Sequence, residues 1–194
     1  MRAVVLIDGQ NLYHGARAAW SSGPAAPGSP YGYPSYDVQK IAAALCSRDV
    51  RRELGQIRFY TGVPSSRQNA FWHGFWTNKL RFLRRRGVYV YRGRISVGGQ
   101  EKGVDVSIAV DLVALTYDRA YEVAIIVSQD WDLGPAVALA KKIAKAQGRS
   151  LVFESAFPHE EGRGSPRGIP GCRWIHIDRA LYDACRDPTD YRPP

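Results

Sequence analysis

At 194 residues, 45% hydrophobic and 23% charged, the chain is long enough to bury a core without staples and too ordinary in composition to be disordered or fibrous. No apolar run approaches the ~20 residues of a membrane-spanning helix, and the opening apolar stretch 1–7 is too short for a secretory hydrophobic region. Three cysteines without a C-x-x-C pair suit a reducing compartment, and four scattered histidines lack zinc spacing, so a cytoplasmic protein without a zinc site is expected. A formal net charge of +9 favours a polyanionic partner.

Taken in chain order, short β-branched and aliphatic runs alternate with longer helical patterns, the signature of a mostly parallel sheet covered on both faces. Strands are expected over 3–7, 56–60, 88–91, 123–127 and 151–153, with a sixth over 174–177 at an edge. A short helix follows the first strand, and others are expected over 37–46, 68–86, 104–117 and 133–147. In the helix over 104–117, Val106, Ala109, Val110, Val113 and Tyr117 recur at helical spacing. Gly148 sits where a C-terminal glycine cap belongs. The stretches 21–35 and 158–171 are rich in Gly and Pro and read as long loops, and 186–194 reads as a tail. Right-handed crossovers would wind these elements into one α/β domain of five to six strands.

Ligands of open parallel sheets bind beyond the carboxyl ends of the strands, and the unusual aspartates fall there. Asp8 follows the first strand, in Ile7-Asp8-Gly9-Gln10-Asn11. Asp130 and Asp132 follow the strand 123–127, and Asp105 opens the helix before it. If those two strands are neighbours, all four aspartates can share one crevice. Each could instead be local: Asp8 a turn, Asp132 a helix cap contributing ~1 kcal/mol, Asp105 a favourable charge on a helix dipole. Caps, however, do not need to converge, whereas two carboxylates 4 Å apart repel by ~4 kcal/mol at an effective dielectric near 20. A hard cation such as Mg²⁺ would relieve that repulsion and could activate water against a phosphodiester. Asn11 and Ser128 could hold water, orient a carboxylate or touch phosphate, and Lys102 could neutralise either. Asp111, six residues past Asp105, points about 120° away on a helix and is expected to be supporting or structural.

Basic residues cluster at Arg81, Arg84, Arg85, Arg86, Arg92 and Arg94, and Arg84–Arg86 are the residues expected to touch nucleic acid. Arg163, Arg167 and Arg173 form a second group in a Gly/Pro-rich segment. The aromatic run Phe71, Trp72, Phe75 and Trp76, with Leu80 and Leu83, fits core or a subunit contact, which leaves room for a homo-oligomer. Tyr31, Tyr33 and Tyr36 could stack unpaired bases but read more simply as an ordinary loop.

Three blocks, "LIDGQNLY" (6–13), "KGVDVSIAVDLV" (102–113) and "IIVSQDWDLGPAVALAKKIAKAQG" (125–148), resemble the NYN domain family, the LabA-like branch of the PIN-like nucleases. That resemblance implies a PIN-like three-layer α/β/α sandwich, an acidic Mg²⁺ or Mn²⁺ site and ribonuclease activity on single-stranded or structured RNA. It puts the catalytic and metal-binding positions on Asp8, Asp105, Asp130 and Asp132, with Asn11 and Ser128 alongside, and matches Asp111 to a recurrent family aspartate. Gln129 and the proline-rich loop depart from the family pattern. A haloacid-dehalogenase-type phosphatase would want a carboxylate at position 10, where this chain has Gln10. A dinucleotide-binding domain would need a glycine-rich turn that Gly9 alone does not make. The competing reading is a non-catalytic RNA- or protein-binding module on the same fold, against which the clustered carboxylates argue.

Overall fold

The computed structural model describes residues 1–21 and 31–193, so most of the proline-rich loop lies outside the described residues. Seven strands form one sheet: β1 (Arg2–Asp8), β2 (Glu53–Val63), β3 (Tyr89–Ile95), β4 (Glu101–Lys102), β5 (Val123–Val127), β6 (Val152–Pro158) and β7 (Arg173–Ile177). The helices are α1 (Gly9–Trp20), α2 (Val38–Cys46), α3 (Ala70–Arg85), α4 (Val104–Tyr117), α5 (Gly134–Ala146) and α6 (Arg179–Ala184), with a short 3-10 helix at Trp131–Leu133.

The sheet order is β4-β3-β2-β1-β5-β6-β7, parallel throughout except for β4. β1 alternates sides as the pleat requires: Ala3, Val5 and Ile7 enter one apolar cluster and Val4 and Leu6 the other. The first cluster holds α1, α2 and α3 residues against the sheet, and the second holds α4 and α5 residues. The result is the expected α/β/α sandwich. Chain progress from β1 through β3 uses helices on one face, and progress from β5 to β6 uses the other. Strand order therefore reverses between β1 and β5, which opens a crevice beyond their carboxyl ends.

The expected strands all form, most of them longer than their apolar runs. β4 is an addition to them, because a two-residue antiparallel pairing carries no periodic signal. Position 174–177 is indeed the edge strand. In α4 the buried apolar residues are Val104, Ile108, Leu112 and Leu115, whereas Val106, Val110 and Tyr117 of the expected stripe face solvent. That helix is apolar nearly all round, so spacing alone could not choose its inner face. The expected tail is docked: Tyr191 is buried against Phe75 and Phe82, and Asp187 reaches the buried Lys79. Tyr31 and Tyr36 are core residues and so not base-stacking platforms, whereas Tyr33 is half-buried and packs on Phe71, Trp72 and Phe75. No helix among the described residues is long and apolar enough to cross a membrane.

Candidate active site

β1 and β5 pair directly, with Ile7 opposite Val127, so the residues that follow each strand meet. Asp8 ends β1 and caps α1, its Oδ1 accepting the N–H groups of Gln10 at 3.1 Å and Asn11 at 2.9 Å. Asn11 then accepts the Gln129 N–H on its Oδ1 at 3.2 Å, tying α1 to the β5 turn. Asp130 accepts the Asp132 N–H at 2.9 Å and so caps the 3-10 helix. Its own N–H donates to Ser128 Oγ at 3.1 Å. Asp8 and Asp130 thus both fill local capping roles, and both also line a cavity of about 560 Å³ with Asn11, Gln129 and Asp105.

The cavity contains one carboxylate that sequence reasoning missed. Glu101, on β4, lies against the end of β2, where the Gly62 N–H donates to its Oε1. A Cβ on Gly62 would come within 2.7 Å of that oxygen and of the Ile95 side-chain tip, so any larger residue there would push Glu101 aside. Gly103, at φ 86°, then turns the chain from β4 into α4 and sets Asp105 in the first helical turn. The only sequence hint was the pair of acidic residues flanking that glycine.

Asp8 is 3% exposed. Burial pushes its carboxyl up to about 8 against the two N–H bonds that pull it down, and Glu101 and Asp105 add to the rise. Burial, reinforced by Asp105, likewise lifts Glu101 to about 7. Asp105, at the exposed mouth, is raised by partial burial and by Asp130 and Asp132. Among the described residues no Lys or Arg forms an ion pair with Asp8, Glu101, Asp105, Asp130 or Asp132. Nor, among those residues, do three His, Cys, Asp or Glu side chains close into a ready-made ligand group.

The remaining expected residues stand apart from the cavity. Asp132 is exposed beside it, near enough to raise Asp105 but not part of its wall. Ser128 is buried beneath the turn, where its carbonyl accepts Ser155 Oγ–H at 2.7 Å. Lys102 faces solvent and bonds Gln100. Asp111 is engaged elsewhere, pairing with Arg58 at 2.8 Å and accepting the Tyr60 hydroxyl at 2.7 Å. Arg84, Arg85 and Arg86 are exposed at the far end of α3, roughly 24 Å along that helix from its site-side start. Nearer the crevice, Arg92 and Arg94 are exposed close to the carboxyl end of β3.

A family model for the NYN domain matches residues 2–153. The chain belongs to the NYN domain family. The NYN match includes every carboxylate of the cavity and stops at the start of β6, leaving β7, α6 and the docked C-terminal segment outside it. No curated protein matches the chain. The solved structure of a protein of unknown function from Vibrio parahaemolyticus is similar, with a TM-score of 0.57 at 18% identity over 92% of this chain and 93% of that one. At that identity the likeness shows the fold of this NYN protein and nothing of its chemistry.

Proposed function

We propose that this NYN protein is a divalent-metal-dependent endoribonuclease that hydrolyses RNA phosphodiesters at the acidic cavity with Mg²⁺ or Mn²⁺. One observation supports this above the others. Asp8, Glu101, Asp105 and Asp130 line a crevice, with Asp132 beside it, and none has an ion-pair partner among the described residues, while Asp111, Glu154 and Asp187 each have theirs. The donor set suits a hard cation. All donors are oxygens, and two of them, Asp8 and Glu101, are pushed up towards neutrality by burial and, less, by the neighbouring carboxylates. Mg²⁺ usually takes one or two carboxylates and completes its shell with water and substrate phosphate, so it does not require a closed three-carboxylate group beforehand.

Asp8, Asp105 and Asp130 would hold the ion, with Glu101 beside them and Asp132 outside the first ring. When bound, such an ion polarises a phosphoryl oxygen and lowers the pKa of bound water. The chain supplies position. The N–H groups at the start of α1 fix Asp8, the Gly62 N–H fixes Glu101, and Asn11 locks the β5 turn that carries Asp130. Arg92 and Arg94 would hold the anionic strand at the rim, where an exposed guanidinium attracts phosphate without neutralising the carboxylates.

A second reading, a non-catalytic RNA- or protein-binding module, is favoured by the lack of a ready-made three-ligand group among the described residues. Incubation with labelled single- and double-stranded RNA and DNA, in Mg²⁺, Mn²⁺ or EDTA, separates the two. Cleavage of RNA is expected only with metal, and Asp130→Asn should reduce it to background. Undiminished cleavage in EDTA would overturn the metal mechanism, and binding without cleavage in any metal would favour the second reading.

A further inference from the structure

A second cavity of about 590 Å³ adjoins the acidic one and shares Gln10, His14, Ile95 and Gly99 with it. Its volume lies in the range of small-molecule sites. One wall is the face of α1 that carries Gln10, Tyr13, His14 and Arg17, residues three and four apart that project the same way. Trp72 and Trp76 of α3 form the opposite wall, with the side-chain amides of Gln68 and Asn69 at its edge.

Three features of this cleft suit a flat, polar-edged ligand. Trp72 is half-buried and wedged edge-on between Phe71 and Phe75 at centroid distances of 5.3 Å each, so its ring is rigidly placed before anything binds. The side-chain amide of Gln10, which lines both cavities, offers a donor and an acceptor together, the pairing that reads the edge of a base, whereas Gln68 and the Asn69 oxygen are spent on Ser65, Ile95, Ser96 and Trp72. Arg17 lines the same wall, its guanidinium 5.7 Å from the Tyr13 ring centroid. A guanidinium plane there can stack on an unpaired base or donate to its edge. Because α1 begins at Asp8 and runs along the cleft, Gln10 and Arg17 are about 10 Å apart along one rigid helix that starts at the acidic site.

We infer that the Trp72–Arg17 cleft is a nucleobase pocket, which takes one unpaired base of the strand whose phosphate lies in the acidic cavity. The inference rests on the nuclease reading for the identity of that strand. Bases in a duplex are stacked and paired and cannot enter a walled cleft, whereas an unpaired base can leave the stack and lie on an aromatic ring. The pocket therefore selects single-stranded or looped RNA over a continuous duplex.

The test is binding in EDTA, where cleavage is silent, with a short oligoribonucleotide carrying 2-aminopurine as its fluorescent base. Single strands should be quenched on binding, and the same strand annealed to its complement should not. Trp72→Ala should weaken single-strand binding roughly tenfold or more, and Trp72→Phe should keep most of it. In the parent protein, a strand of abasic ribose phosphates should also bind at least about tenfold more weakly, a measurement that does not depend on how Trp72→Ala folds. Equal binding of abasic, duplex and single strands without quenching would overturn the pocket. Adding Mg²⁺ or Mn²⁺ to the same samples separates the two claims. Cleavage without quenching removes the pocket and leaves the nuclease reading, while quenching without cleavage does the reverse.

Discussion

Glu154 and Asp8 are buried almost equally, 1% and 3% exposed, yet the chain treats them in opposite ways. Glu154, near the amino end of β6, is gripped by Arg52 through two hydrogen bonds of 2.8 and 2.7 Å and by Arg173 at 2.9 Å. Asp8, at the carboxyl end of β1, has only backbone N–H partners among the described residues, and two further carboxylates raise it. A carboxylate that serves the fold arrives with its cation, because removing an unpaired charge from water costs several kcal/mol. A buried carboxyl without a cation beside it is instead pushed towards its protonated form, as Asp8 and Glu101 are.

Contrasting stabilities are expected at the two places. Glu154→Ala strands the Arg52 guanidinium inside the protein and should cost about 3–5 kcal/mol in denaturant melts. In metal-free protein, Asp130→Asn should cost nothing or stabilise slightly, since it relieves repulsion of Asp105 while keeping a side chain that can cap the 3-10 helix. With Mg²⁺ at about a hundred times its Kd the parent should gain roughly 2.7 kcal/mol, and the Asn variant clearly less. Equal destabilisation by both substitutions, with matched metal responses, would make Asp130 a structural residue like Glu154.

A subtler difference lies in pH dependence. The Asp8 carboxyl titrates near 3.8 ordinarily and at about 8 in the fold. The folded state therefore binds the extra proton between those values, and metal-free stability should fall as pH rises from about 4 to about 8, then level off. Glu101 adds a smaller decline that ends at about 7. Asp8→Asn should flatten most of this slope, which melts across the range would measure. A slope unchanged in the variant would mean that Asp8 is not the source of the strain.

The smallest effect concerns the two arginine groups. Reversing the charge of Arg92 and Arg94 should flatten the salt dependence of RNA binding by about 0.7 for each single-strand phosphate that the protein no longer neutralises. Reversing Arg84, Arg85 and Arg86, at the far end of α3, should change that slope less. A larger change from the far group would place the strand along the other end of the sheet.

Much of this was written locally. The apolar runs of β1 and β5 and the aspartates following them were legible because a strand buried on both faces needs an unbroken apolar segment, and its end needs a polar turn. Asp105 was legible for a similar reason, as an acidic residue opening a helical pattern. Glu101 was not, because only the approach of β4 to Gly62 buries it, and neither residue signals the other across that distance in sequence. Spacing could not choose the inner face of α4, which is apolar nearly all round, so packing on the sheet chose it. Nor could spacing tell that Asp111 would be claimed by Arg58 and Tyr60, or that Arg84–Arg86 would end far from the carboxylates. Which residues could carry charge at strand ends was therefore set locally. Which of them are neutralised by a neighbour and which face one cavity was set by the fold, because that depends on which strands lie side by side.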